Sequence, residues 1–307
     1  LLVYTDVVRV WHVMVLAGLL GVVNAFDMPT RHSMVLDLVK REDIYNAVSL
    51  NSSAFNSGRI VGPAVAGVII GVVGMAACFL INALSFLPLI FILTIIRPMV
   101  RRPTAGGSML QHIGGAAKWV RSHPVALALL VLIAFASLFA MPYVTVLPLF
   151  ARDIFHTGPR GYGFLMSAPA VGSLTAALTM TALGHRFRLG LVITVGSLIF
   201  PGALILLGLA PSYAVAVVVL FFAGLGGMAF NATSNTMLQK ESPDEMRGRV
   251  MGLRTFLFAG MAPLGNLQIG TAAEFLGARP AIIISGAICL AAAVVAWLKA
   301  PHLKNSP

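Results

Sequence analysis

Apolar residues gather into runs of roughly twenty, and short polar stretches separate the runs along the whole 307-residue chain. A helix needs about 20 mostly apolar residues to cross the hydrocarbon core of a bilayer. That rule predicts spans near Val10–Met28, Asn46–Val73, Met75–Ile96, Pro124–Phe150, Gly161–Leu183, Leu189–Leu209, Ser212–Leu238, Gly248–Ala273 and Pro280–Lys299. Leu1 to Val8 reads as the tail of one more span, with no Met at its start and no signal-peptide pattern. The expected fold is therefore an all-α membrane protein, N-terminally truncated, with about nine complete transmembrane helices.

The pattern also repeats. From Asn24 to Gly67 an apolar run ends in Asn-Ala, passes a loop with paired acids (Glu42, Asp43), and re-enters an apolar run that holds Arg59 and then Gly62-Pro63. From Asn231 to Gly270 the plan recurs, with Asp244 and Glu245, then Arg254, then Pro263 and Gly265. Distant copies of one plan in an apolar chain indicate two related halves, as in transporters.

Composition agrees with the pattern. Apolar residues make up 58% of the chain, charged residues 10%, and mean hydropathy is +0.92; a soluble domain carries roughly 25% charged residues. The net charge of +11 does not indicate nucleic acid, because the basic residues sit in short loops rather than in one aromatic-laced stripe. Alternate loops hold 15 of the 21 basic residues, while the intervening ones hold only Arg9, Arg152, Arg160 and Arg279. Basic loops stay in the cytoplasm, which places the C-terminus inside. The longest loop, residues 97–123, divides the chain into a partial N-terminal bundle (1–96) and a C-terminal six-helix bundle with a short tail (124–307). The later part of that loop could form an interfacial helix with Trp119 toward lipid, or remain an ordinary solvated loop. Cys78 and Cys289 fall inside apolar runs and read as buried packing residues.

Several residues carry candidate chemistry. Asp27 sits in the last turn before Pro29, where it faces the negative end of the helix dipole and needs a cation such as Arg31; a solvated interfacial acid is the other reading. Ser242, Pro243 and Glu245 spell an N-cap, a first-position proline and a capping box, which explains those acids structurally. Arg247 and Arg249 read as anchors in the cytoplasmic interface. Arg59 lies 13 residues beyond Asn46, ~20 Å into its span, where a cation faces a water-filled cavity or a partner. Arg254, six residues into its span, could snorkel to the surface and reads as structural. Gly58, Gly62, Pro63, Gly67 and Gly71 give a smooth helix face interrupted by a proline. The glycines from Gly224 to Met228 read as close packing inside a span. No nucleophile, phosphate-loop or metal-ligand motif occurs, so no catalytic residue, cofactor or metal is expected. A membrane enzyme acting on lipids would need a cluster of reactive side chains at one depth, and the sequence offers none.

The motifs N-A-F-D-M-P-x-R (Asn24–Arg31), R-E-D-x-x-N-A (Arg41–Ala47), L-N-S-x-x-F-N-x-x-R-x-x-G-P-A-x-A-G (Leu50–Gly67), W-V-R-S-H-P (Trp119–Pro124) and P-D-E-M-R-G-R-V-M-G-L (Pro243–Leu253) together resemble the major facilitator superfamily. The likeness is to its enterobactin-exporter-like branch, the transmembrane secretion effector family, which includes macrolide-efflux relatives. It implies a two-bundle, twelve-helix fold working by alternating access, with helices four to twelve present here. It also implies that Gly58, Gly62, Pro63 and Gly67 match an exporter-associated motif on helix five, with Ala66 in place of one glycine. Asp27 matches an acid that latches one conformation, and Gly184–Arg188 resembles a degenerate counterpart loop. The expected function is secondary active export of a small amphipathic molecule, siderophore-like or drug-like, across the inner membrane, with proton antiport. Arg59, Asn231, Asn266, Phe135 and Tyr143 are the expected transport or cavity residues, and Asp27 with Arg31 the latch. The expected partners are a small-molecule substrate and the lipid bilayer, with no nucleic acid and a monomeric state. A non-transporting scaffold, or a remnant of a transporter fold, is the alternative.

Overall fold

A computed structural model describes residues 44–95, 119–183 and 188–299, with scattered positions from Val7 to Val23. All regular structure among the described residues is helical. The chain divides into two compact units, Leu1–Ala105 and Gly106–Pro307. Six stretches among the described residues are long and apolar enough to cross a membrane: Ala76–Ile95, Pro124–Ile154, Gly158–Ala182, Leu189–Leu209, Tyr213–Glu241 and Ala278–Leu298.

In the first unit, the described positions from Trp11 to Val23 are helical. One long helix, α1 (Ile44–Ile95), then absorbs both spans predicted for residues 46–96. The break expected between Val73 and Met75 is not there. A lone glycine costs a helix only about 1 kcal/mol, and Gly74 sits among helix-compatible Val, Met and Ala with no polar loop to end the element. Within α1 the stretch Ala76–Ile95 qualifies as a span, and all its described side chains from Phe79 onward are exposed and mostly apolar.

The second unit is a packed bundle. It comprises α2 (Pro124–Phe135), a π-helical turn (Ala136–Ala140), α3 (Tyr143–Leu149), a second π-helical turn (Phe150–Ile154), α4 (Gly158–Leu183), α5 (Leu189–Leu209), α6 (Tyr213–Glu241), α7 (Asp244–Gly260), α8 (Ala262–Leu276) and α9 (Ala278–Lys299). Helix α6 packs on both α4 and α5, α5 packs on α9, and α9 on α8. Phe150, Leu129, Ile133, Leu147, Leu165 and Leu204 are among the largest side chains fully buried in the core.

Glycine decides how near α6 comes to its neighbours. A Cβ added at Gly224 would strike the carbonyl of Pro169 on α4, and one added at Gly172 would strike the carbonyl of Phe221 on α6. On the other flank, a Cβ at Gly226 would lie 2.9 Å from the Phe200 nitrogen and one at Gly196 2.8 Å from the Phe230 nitrogen. The Gly-rich run in α6 is a packing device, as its sequence indicated. Side-chain bonds also join the helices: Trp297 Nε1 donates to Ser197 Oγ across α9 and α5 (3.1 Å), and Arg279 donates to the carbonyls of Gly208 and Ala210 at the end of α5. A cation there suits the negative end of the α5 dipole.

Two further predictions need correction. The span expected from Gly248 to Ala273 is two helices, α7 and α8, joined at Met261. Pro263 has no N–H for the carbonyl of Ala259, which instead accepts from the N–H of Met261. Ser242 is not an N-cap: Pro243 takes that position, while Ser242 closes α6, its N–H and Oγ both donating to the carbonyl of Leu238 (3.1 and 2.6 Å). Trp119 is half-buried against the core and stacks on His123 at 3.9 Å.

Candidate functional site

Several polar side chains of the second unit pair where α7 and α8 meet α3, α6 and the π-helical turn after α2. Their placement starts with the backbone. The π-helical turn after α2 closes with the N–H of Met141 donating to the carbonyl of Ala136, five residues back (2.7 Å). Pro142 follows and cannot donate, so the carbonyl of Leu138 is left without its usual helical partner. Gly265 of α8 packs there, close enough that a Cβ would lie 2.7 Å from the Leu138 oxygen. Turns of this kind recur at functional sites because they re-aim side chains within a helix.

One of the re-aimed side chains is Ser137, buried at the contact with α7, where its Oγ donates to the carbonyl of Phe258. Further along, Thr145 Oγ1 of α3 donates to Asn266 Oδ1 of α8 (3.0 Å), and both residues are exposed. On the other flank of α7, Arg254 reaches α6. Its Nη2 donates to Oδ1 of Asn231 and, at 3.4 Å, to the Asn231 carbonyl. Its Cζ lies 5.8 Å from the centre of the Phe258 ring, within cation–π range. The Nε of Arg254 is buried without a hydrogen-bond partner among the described residues.

Depth makes this arginine unusual. Arg254 is ten residues into α7 and Asn231 ten residues before the end of α6, which places both ~15 Å from the α6–α7 turn. The sequence reading took Arg254 as a snorkelling residue, and the structure overturns that. Helix α7 starts four residues earlier than Gly248, at Asp244, so Arg254 sits deeper, half-buried, with its guanidinium turned to α6. The signal that could have found it was the repeat itself, which set Asn231 and Arg254 in the same plan as Asn24 and Arg59. No carboxylate pairs with Arg254 among the described residues. The described ion pair, Arg152 with Asp153 at 2.6 Å, joins adjacent exposed side chains in the second π-helical turn, where such a pair contributes little.

The other predicted residues fall as follows. Phe135 lies tilted against Phe139 (5.8 Å between ring centres) at the end of α2. Tyr143 is packed within the core, edge-on to Phe200 of α5 (6.2 Å). Arg247 donates to the carbonyls of Gln239 (3.0 Å) and Ser242 (3.5 Å), tying the start of α7 to the end of α6. Arg249 is exposed, with Nη1 4.0 Å from Met246 Sδ. Arg59, Pro63 and Gly67 lie on the backbone of α1, the side chain of Arg59 being outside the described residues. Gly58 and Gly62 are exposed, and a Cβ at either would meet nothing within 4 Å. Asp27 and Arg31 lie outside the described residues.

Comparison with known proteins adds the context. The sequence profile described as transmembrane secretion effector matches residues 1–306. The staphyloferrin A transporter of Staphylococcus aureus is 26% identical over 292 residues, covering 91% of this chain and 70% of that protein. Macrolide efflux protein A of Streptococcus pyogenes is 23% identical over 295 residues, covering 93% and 72%. Among solved structures, a bacterial homologue of the human lysosomal transporter Spinster, inward-facing and unoccupied, superposes with a TM-score of 0.61 at 16% identity over 90% of this chain and 75% of that one. That structural likeness concerns the fold alone.

Proposed function

Because this chain belongs to the transmembrane secretion effector family of the major facilitator superfamily, we propose that it exports a small amphipathic molecule, siderophore-like or drug-like, across the inner membrane by alternating access. It is a multi-pass membrane transporter and not an enzyme. The observation that carries the export reading is the match to a secretion family over residues 1–306. The names of the relatives, one for staphyloferrin A transport and one for macrolide efflux, support the substrate class.

The geometry supports it too. An amphipathic solute needs a few polar contacts within an otherwise apolar path, and the seam of Asn231, Arg254, Ser137, Thr145 and Asn266 supplies them between apolar helices. The break at Met261 and the π-helical turn at Ala136–Ala140 interrupt regular helix beside that seam. Such interruptions give alternating access places to bend. Arg59 lines or supports the cavity in the other repeat, the face of Gly58, Gly62, Pro63 and Gly67 lets helices close together, and Asp27 with Arg31 latches the inner end. Proton antiport drives the cycle, the C-terminus is cytoplasmic and the working unit is a monomer.

The test is flux into everted inner-membrane vesicles from cells producing the full-length protein, with a labelled macrolide and a labelled iron-free siderophore as solutes. Uptake of at least one, driven by an acid interior and collapsed by a protonophore, is expected. Arg59→Ala at unchanged expression should lower uptake to the level of vesicles without the protein. Absence of flux for both solutes with the intact protein would favour the non-transporting scaffold. Flux indifferent to the protonophore would exclude proton coupling, and normal flux in Arg59→Ala would exclude its cavity role.

A further inference from the structure

Arg254 poses an electrostatic problem that the described residues of the second unit do not solve. A guanidinium ~15 Å from the end of its helix lies where an unpaired cation is expensive, and it normally meets an opposite charge or water. Its partner is neutral: Asn231 offers its amide and carbonyl oxygens, and both accept from the same nitrogen, Nη2. Nε is sealed from solvent with no partner, so one edge of the guanidinium is already stripped of water. Nη1 makes no hydrogen bond among the described residues and is not sealed in the way Nε is.

The described acidic side chains of α6 and α8 do not make up the difference. Glu241 closes α6 ten residues after Asn231, and Glu274 is twenty residues beyond Arg254 on α8, both exposed. At 1.5 Å per residue these separations are roughly 15 Å and 30 Å along the helices, beyond direct pairing. The site therefore holds one positive charge, half-buried against α6, with an open nitrogen and a neighbouring aromatic face, Phe258. Asn231 fixes the orientation of the guanidinium, and Ser137 fixes the turn that carries Phe258 by bonding its carbonyl.

We propose that Arg254, oriented by Asn231 and flanked by Phe258, is a binding site for the carboxylate of an amphipathic substrate. The carboxylate accepts from Nη1, while the apolar body of the solute lies along Phe258 and the exposed apolar residues of α7. The bond is charge-assisted, and the local shortage of water strengthens it. Resting on the export reading for its purpose, the site narrows the substrate class to anionic amphipathic molecules. A merely structural arginine, serving to tie α7 to α6, would show no preference between an anion and its neutral analogue.

That contrast sets the experiment. Binding of 1-naphthoate and of its neutral amide, 1-naphthamide, is measured by calorimetry on the full-length protein in nanodiscs at neutral pH. The expected result is a preference of about tenfold or more for the carboxylate. The preference should vanish in Arg254→Gln and persist in part in Arg254→Lys, which keeps the charge but loses the planar fork. Should Arg254→Gln fail to fold, the wild-type ratio and the Lys variant decide. Equal binding of the two probes to the wild type, no binding of 1-naphthoate, or an undiminished preference in Arg254→Gln would overturn the site. Vesicle flux separates this from the export reading. Macrolide flux without anion preference leaves export standing and removes the site, whereas anion preference without flux of either solute leaves the site and removes export.

Discussion

Two seams hold α6 in the second unit, and they are built on opposite principles. Against α4 and α5, glycines 172, 196, 224 and 226 bring backbones so close that even one added carbon collides. Against α7 the contact includes a guanidinium held by an asparagine, with Nε and Nη1 making no hydrogen bond among the described residues and an aromatic ring beside it. The first seam has no room to change and stores its stability in dense dispersion contact. The second leaves hydrogen-bonding capacity unused. A transporter needs both, a rigid scaffold and a face whose chemistry is completed by something that comes and goes.

The contrast can be broken most severely on the glycine side. Gly224→Leu should cost at least about 3 kcal/mol, because the obstacle is the Pro169 backbone and not a flexible side chain. Loss of a monodisperse peak and of a thermal transition in detergent would show it; a native-like transition would mean that α4 and α6 are not locked together. Next comes Asn231→Leu, which removes the oxygen that holds Arg254 and leaves a cation unaccompanied in the span. A loss of about 2 kcal/mol is expected, read as a lowered thermal midpoint. An unchanged midpoint would mean that Arg254 finds another partner.

Smaller effects sharpen the comparison. Ser137→Ala deletes one buried bond to the Phe258 carbonyl and should cost about 1 kcal/mol. It should also alter solute flux, since it frees the turn that carries the ring; unchanged stability and flux would remove Ser137 from the site. Thr145→Val breaks the exposed bond to Asn266, and a change within about 0.5 kcal/mol is expected. A larger loss would mean that the α3–α8 contact is as rigid as the glycine seam.

Part of this was legible without coordinates. Run length and loop charge indicate helices in a membrane, and the closely spaced glycines from Gly224 to Gly227 identify a packing face, because both follow from local composition. The motifs from Asn24 to Leu253 carry the family. Arg254 was misplaced because its depth was counted from Gly248, where the apolar run begins, whereas α7 begins at Asp244. The α7–α8 break escaped notice because Pro263 and Gly265 occur in a continuous apolar run, where hydropathy sees no interruption.

What the sequence determines alone is the solvent: 58% apolar residues with most charges in loops suit a bilayer, and the backbone must then satisfy its own hydrogen bonds as helices. Tertiary structure decides which polar group meets which. Asn231 and Arg254 are 23 residues apart on different helices, and Ser137 and Phe258 are 121 apart. A linear pattern records period and depth, but contact between helices depends on how their faces rotate against one another, and that is set only when the bundle packs.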